Sequence, residues 1–191
     1  MDPSDRSNAL MSNGSIDPRI ESLLLSAEMD PVAGDVEIRV PVSEFWALFQ
    51  QPNLWSQWNT CFYWAHNRTL IQGDRLTWVF QPIRPWYLYK MPAIASIAEV
   101  VPQARATWDV TTLPGFFARH TYHLEKIDQR TSRFGSWEQA MGPAFQLTRG
   151  FWVAHFRFVL ERSLEGARRL EAIYEQHGRL ARELLPQRPL W

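Results

Sequence analysis

The chain has 191 residues, of which 46% are hydrophobic and 21% charged, and its 20 basic and 20 acidic residues give a formal net charge of zero. This composition is typical of one globular domain and excludes general disorder, while the charge balance argues against nucleic acid and against a polybasic membrane anchor as partners. No apolar run approaches the ~20 residues that a membrane span needs, so we expect no membrane span. The single Cys61 excludes an internal disulfide and a cysteine-based zinc site. Because the first residues lack the pattern of a secretory signal, we expect a cytoplasmic protein.

The first part of the chain, residues 1–34, is rich in Ser, Asp, Asn and Pro. We predict an N-terminal extension that is mostly flexible, with a short helix after Asp17-Pro18, where Asp is a good cap and Pro suits the first helical position. A ligand-binding domain is predicted over residues 35–185, followed by a C-terminal tail over 186–191.

The predicted domain begins with alternating polar and apolar residues over 35–40, which indicates a half-buried strand that Pro41 ends. Ser43 is expected to cap a short helix, and Pro52 to begin a second one. Extended patterns then predict strands over 62–67, 76–80, 93–101, 104–111, 118–127 and 133–140. Three prolines bracket an aromatic loop over 86–89.

After Gly142-Pro143 the apolar residues recur at spacings of three and four, from Trp152 to Leu184. This stripe predicts one amphipathic helix of about thirty-five residues that ends before Pro186. Such a helix needs a wide surface to cover. The predicted fold is therefore α+β, with a curved antiparallel sheet of about six or seven strands wrapped around one long C-terminal helix, and with two short helices after the first strand.

Several segments resemble one family in their order and spacing: residues 36–46, 52–59, 99–102 with Trp108, 120–125 and 137–142. Over residues 35–184 the chain resembles the START-like (SRPBCC) or helix-grip superfamily, and within it the bacterial polyketide cyclase/dehydrase and lipid-transport proteins. The resemblance implies the helix-grip fold with a cavity for a hydrophobic ligand, and a bacterial source. It does not imply one reaction, because enzymes, carriers and hormone receptors share this scaffold.

The period-two pattern predicts which polar side chains face that cavity. His120 and Tyr122 share the inward face of one strand, and Glu138 that of the next. If the hairpin turns centre on residues 115 and 130, Trp108, Tyr122 and Glu138 fall in one row; a second centre at 129 places His120 opposite Glu138 instead. Either register places a carboxylate beside an imidazole or a phenol. Such a pair is suited to acid/base catalysis. It is equally suited to a structural role, in which each buried polar side chain satisfies the other.

The candidate catalytic residues are therefore Glu138, His120 and Tyr122. The candidate ligand-binding residues are those expected on the cavity walls: Trp108, Trp152, Phe156, Ser136, Phe134 and Trp64. His155 lies near the helical stripe, where we expect a hydrogen-bonded structural histidine. The scattered histidines lack the spacing of metal ligands, so we expect no metal and no cofactor.

Three functions stay open on the sequence. The first is binding of an apolar, ring-containing small molecule in a cavity between the sheet and the long helix, with a hydrophobic small molecule as the partner. The second is a metal-free polyketide cyclase or dehydratase-type enzyme that uses Glu138 with His120 or Tyr122. The third is a protein-interaction module with a filled core. The sequence leaves a homodimer open.

Overall fold

A sheet of seven antiparallel strands and a long helix form the part of the chain that the structure, a computed structural model, describes: residues 30–84, 90–111 and 114–186. The strands are β1 (Val32–Ile38), β2 (Phe62–Ala65), β3 (Arg75–Phe80), β4 (Met91–Val101), β5 (Arg105–Val110), β6 (Phe117–Lys126) and β7 (Ser132–Met141). The helices are α1 (Val42–Phe49), α2 (Trp55–Trp58), α3 (Pro143–Leu147) and α4 (Arg149–His177), with single 3₁₀ turns at Pro52–Leu54 and Arg182–Leu184.

The strand order is β1-β7-β6-β5-β4-β3-β2, so the first strand pairs with the last and the remaining neighbours are consecutive in sequence. The sheet curls as a half-barrel around α4. This confirms the predicted α+β fold, with its long C-terminal helix and its short helices after the first strand. None of the helices in the described ranges is long and apolar enough to cross a membrane.

Two local predictions differ from the structure. Strand β1 begins at Val32, before the predicted start at Asp35. The N-cap of α1 is Pro41, which makes no side-chain hydrogen bond, so Ser43 lies inside the helix and the predicted Ser43 cap is wrong. The predicted helix after Asp17 and the aromatic loop 86–89 lie outside the described residues.

The long helix is shorter than predicted. It ends at His177 after 29 residues because Gly178 takes the left-handed conformation (φ 68°), which suits a glycine after a helix C-terminus. The apolar spacing continues beyond this point because Leu180 is buried in the segment that follows the helix. The predicted continuation of the helix toward Pro186 is therefore wrong.

Aromatic side chains of the short helices fill one part of the core between the sheet and α4. Phe45 packs on Phe134 with ring centroids 4.7 Å apart, and Trp55 stacks on Trp108 at 5.5 Å. The indole N–H of Trp55 donates to a backbone carbonyl at 2.7 Å, so this buried ring is fully satisfied. These contacts leave the remaining space under the sheet, beside α4, for the candidate site.

Candidate functional site

A row of side chains crosses the middle of the sheet on its inner face. Trp108 on β5 lies opposite His120 on β6, and His120 lies opposite Glu138 on β7. The second hairpin therefore has the register centred on 129. The alternative with turn centres at 115 and 130, which places Trp108 opposite Tyr122, is wrong. Moving a turn centre by one residue moves the partner by two and keeps every side chain on its face, so the alternating pattern does not distinguish these registers.

His120 is held on three sides. Its Nδ1 lies 3.0 Å from Oε2 of Glu138, and its Nε2 is hydrogen-bonded to the Ser136 hydroxyl at 3.1 Å. The indole of Trp108 stacks on the imidazole at 5.2 Å, with only 6° between the planes. The contact with Glu138 lacks the alignment of a hydrogen bond, and no described residue donates one to this carboxylate oxygen. Oε2 of Glu138 is therefore a buried acceptor that receives no hydrogen bond from the described residues.

Tyr122 lies beside the pair but directs its hydroxyl elsewhere. The hydroxyls of Tyr122 and Ser163 on α4 are 2.7 Å apart, and Asn59 donates to the same serine oxygen at 2.9 Å. Burial raises the pKa of Tyr122 well above its usual value, and it does the same for the neighbouring Cys61 thiol. Both groups are neutral, and the Tyr122 hydroxyl ties the sheet to the helix.

These residues surround a cavity of about 230 Å³ between the sheet and α4. Its inner end is formed by buried residues such as Tyr122 and Val159, whereas Pro92 is exposed and Met91 and Trp152 are half-buried. Apart from a few polar side chains, its walls are aromatic or aliphatic. The described residues that line it are Phe62, Trp78, Phe80, Met91, Pro92, Ala93, Trp108, Val110, Phe116, Ala118, His120, Tyr122, Glu138, Trp152, His155, Phe156 and Val159.

The structure brings most of the predicted site residues to this cavity. The three candidate catalytic residues line it, as do Trp108, Trp152 and Phe156 among the ligand-binding candidates. Ser136 lies behind the wall and positions His120. Phe134, fully buried, belongs to the packed core against Phe45 rather than to the lining.

Trp64 is not part of the cavity: its side chain is 43% exposed. The pairing of β2 with β3 is irregular between Phe62 and Trp64, and such an irregularity reverses the alternation of the side chains. Phe62 and Ala65 are consequently buried, and Trp64 lies on the outer surface.

Sequence reasoning missed two polar residues of the lining, His155 on α4 and Trp78 on β3. His155 is 3% exposed and its Nε2 has no hydrogen-bond partner among the described residues, so the expectation of a hydrogen-bonded structural histidine is wrong for this atom. Burial, with a smaller contribution from His120, lowers the pKa of His155 to about 3. The helical spacing of residue 155 with residues 152, 156 and 159 was the signal in the sequence that places His155 on the cavity side of the helix.

The indole N–H of Trp78 also lacks a hydrogen-bond partner in the described part of the chain. No group of three or more His, Cys, Asp or Glu residues that could hold a metal ion occurs there either. The polar side chains that the described residues bring to the lining are therefore a carboxylate, two imidazoles, three indole N–H groups and a phenol whose hydroxyl is already bonded.

Comparison with known proteins identifies the fold. No protein-family model matches the sequence, and no curated protein matches it. An aromatase/cyclase from Streptomyces sp. R1128 superposes with a TM-score of 0.61 at 8% identity, over 80% of this chain and 99% of that one. A protein from Nitrosomonas europaea gives 0.56 at 19% identity over 78% and 99%, and a START superfamily protein from Mycobacterium smegmatis gives 0.50 at 12% over 71% and 94%. The chain has the START-like, helix-grip fold.

Proposed function

We propose that this protein binds an apolar, ring-containing small molecule in the cavity between the sheet and α4. The observation that carries the proposal is the cavity itself. Protein interiors are close-packed and hold few voids larger than a water molecule. A space of about 230 Å³ corresponds to roughly seven or eight waters, and aromatic side chains from four strands and the long helix surround it.

The size of the cavity limits the ligand. A cavity of about 150 Å³ holds benzene, and pockets for drug-sized ligands start at about 300 Å³. The cavity of this protein, about 230 Å³, therefore suits a molecule of one or two rings and does not enclose a long-chain lipid. This argues against the lipid-transport function of some proteins that the sequence resembles. The fold shared with an aromatase/cyclase supports a ring-containing ligand.

A specific observation favours an enzymatic alternative. The carboxylate oxygen of Glu138 accepts no hydrogen bond from a described residue and lies 3.0 Å from Nδ1 of His120. Glu138 can take a proton alpha to a ligand carbonyl while protonated His120 gives its Nδ1 proton to a beta hydroxyl, which leaves as water as the C=C bond forms; Nε2 stays bonded to Ser136. The proton on Glu138 then passes to Nδ1 of His120 once a small rotation aligns the two groups, which restores both. Because the hydroxyl of Tyr122 is bonded to Ser163, His120 is the partner of Glu138 in this reaction.

The third function on the sequence, a protein-interaction module, predicted a filled core. The cavity argues against it.

Native mass spectrometry of the purified full chain tests the proposal. We expect a retained small molecule that is released on denaturation and whose mass fits one or two rings. A ligand-free protein that also binds no ring compound would refute the proposal. The Glu138→Gln variant, nearly isosteric, separates the two leading functions: a carrier keeps most of its affinity, whereas the enzyme loses its rate on the retained ligand.

A further inference from the structure

The cavity has a second polar region, separate from Glu138 and His120. Nε1 of Trp78 and Nε2 of His155 are both buried, and no described residue hydrogen-bonds to either. The two side chains lie on opposite walls, β3 and α4, but both pack on Phe80: its ring centroid is 5.5 Å from that of Trp78 and 4.6 Å from that of His155. Two rings that each carry an unbonded nitrogen thus pack on one aromatic ring of the cavity wall.

Buried polar groups in folded proteins nearly always have hydrogen-bond partners, and both of these residues line the cavity, so a ligand held there is a source of the missing partners. The nitrogen of an indole ring can only donate. The neutral imidazole of His155 accepts or donates at Nε2, depending on its tautomer. Its depressed pKa keeps it neutral over the physiological range. A hydroxyl oxygen suits either nitrogen, because it can accept from Trp78 or donate to His155, and a ketone oxygen can accept from Trp78 or from the Nε2–H tautomer of His155.

The charge of the lining excludes another class of ligand. Among the described residues that line the cavity there is no Lys or Arg, whereas Glu138 contributes a carboxylate. A ligand carboxylate would be buried close to a like charge and would find no Lys or Arg to pair with, which is unfavourable.

We infer that Trp78 and His155 form an anchor that selects ring compounds with a neutral oxygen group, a hydroxyl or a ketone, over hydrocarbons and over carboxylates. This inference rests on the proposed function and names the ligand class of the same cavity. It assigns the choice among ring compounds to two residues that lie outside the acid/base pair.

Equilibrium dialysis of the full chain against naphthalene, 2-naphthol and 2-naphthoate tests the anchor, because the three compounds share one ring system of suitable size. We expect 2-naphthol to bind about tenfold more tightly than naphthalene, as one or two added hydrogen bonds imply. The same reasoning predicts no measurable binding of 2-naphthoate.

Two variants locate the effect. Trp78→Phe and His155→Phe keep an aromatic ring and delete the nitrogen, so each should weaken 2-naphthol by about three- to tenfold and leave naphthalene nearly unchanged. Trp58→Phe is the matched control: the indole N–H of Trp58 is also buried and unbonded, but it does not line the cavity. This variant should keep the wild-type ratio of the two affinities.

The outcomes separate the two proposals. Equal affinities for naphthalene and 2-naphthol, or a 2-naphthol affinity that neither variant changes, would overturn the anchor while the cavity remained a binding site. The second result would mean that the hydroxyl binds elsewhere in the cavity, as at the unbonded Glu138 oxygen. If none of the three compounds bound, the proposed function would fail, and the anchor with it.

Discussion

Acid should destabilise this protein through one residue in particular, His155. Burial lowers its pKa to about 3 in the folded chain, whereas an unfolded histidine titrates near 6.5. Between these values the unfolded state binds one more proton, so the stability from this group is complete above about pH 6.5 and is lost as the pH falls toward 3. At about pH 4 the loss amounts to about 3 kcal/mol.

Urea denaturation of the wild type and of His155→Phe, each at about pH 7.5 and about pH 4, measures this contribution. We expect the wild type to lose about 3 kcal/mol more than the variant between the two pH values. Other titrating groups, including His123, whose pKa burial also lowers, are present in both proteins and cancel in the difference. A change in packing at position 155 cancels too, because it contributes equally at both pH values.

The control is a substitution of His177, which is exposed near the end of the same helix. His177→Gln should retain the pH dependence of the wild type. If wild type and His155→Phe lost the same stability on acidification, the reasoning would be refuted, because His155 would then be protonated in the folded protein as easily as in the unfolded one.

Two further predictions concern packing and hydrogen bonding. A Cβ atom at Gly166 would lie 2.8 Å from the carbonyl oxygen of Trp58, so Gly166→Ala should cost about 1–3 kcal/mol in urea denaturation. A Cβ atom built at Gly150 would have no atom within 4 Å, so Gly150→Ala should be neutral or stabilise the protein by up to about 1 kcal/mol. Equal effects at the two glycines would contradict the close packing of α4 at Gly166. Tyr122→Phe removes the hydroxyl bonded to Ser163 and should cost about 0.5–1.5 kcal/mol of stability while 2-naphthol affinity stays within about threefold. A large loss of affinity with unchanged stability would show that this hydroxyl faces the ligand.

The sequence predicted the inner face of the central strands well. Side chains alternate strictly along a strand, so once Trp108 is assigned to the core, its pairing partner lies on the same side. Register was not predicted to the same extent. Only the geometry of the turns distinguishes His120 from Tyr122 as the partner of Trp108, and both alternatives bury the same faces.

Irregular local geometry explains the remaining differences. The irregular pairing in β2 moves Trp64 outside, and the left-handed Gly178 ends α4 within an apolar pattern that continues to Leu180. The hydrophobic pattern of a sequence also predicts which side chains are buried, but it does not predict their hydrogen-bond partners. The unbonded state of His155 depends on the aromatic rings around it, which come from β3 and from its own helix.

The most direct test of the central claim fills the cavity and measures binding. Ala118 is buried and lines the cavity, so Ala118→Phe places a ring in the space proposed for the ligand. Ala154→Phe makes the same change on the exposed face of α4. By equilibrium dialysis, we predict that Ala118→Phe binds 2-naphthol at least about tenfold more weakly than the wild type, while Ala154→Phe binds it equally well. Unchanged affinity in a folded Ala118→Phe protein would contradict the claim, because binding would then lie outside the cavity.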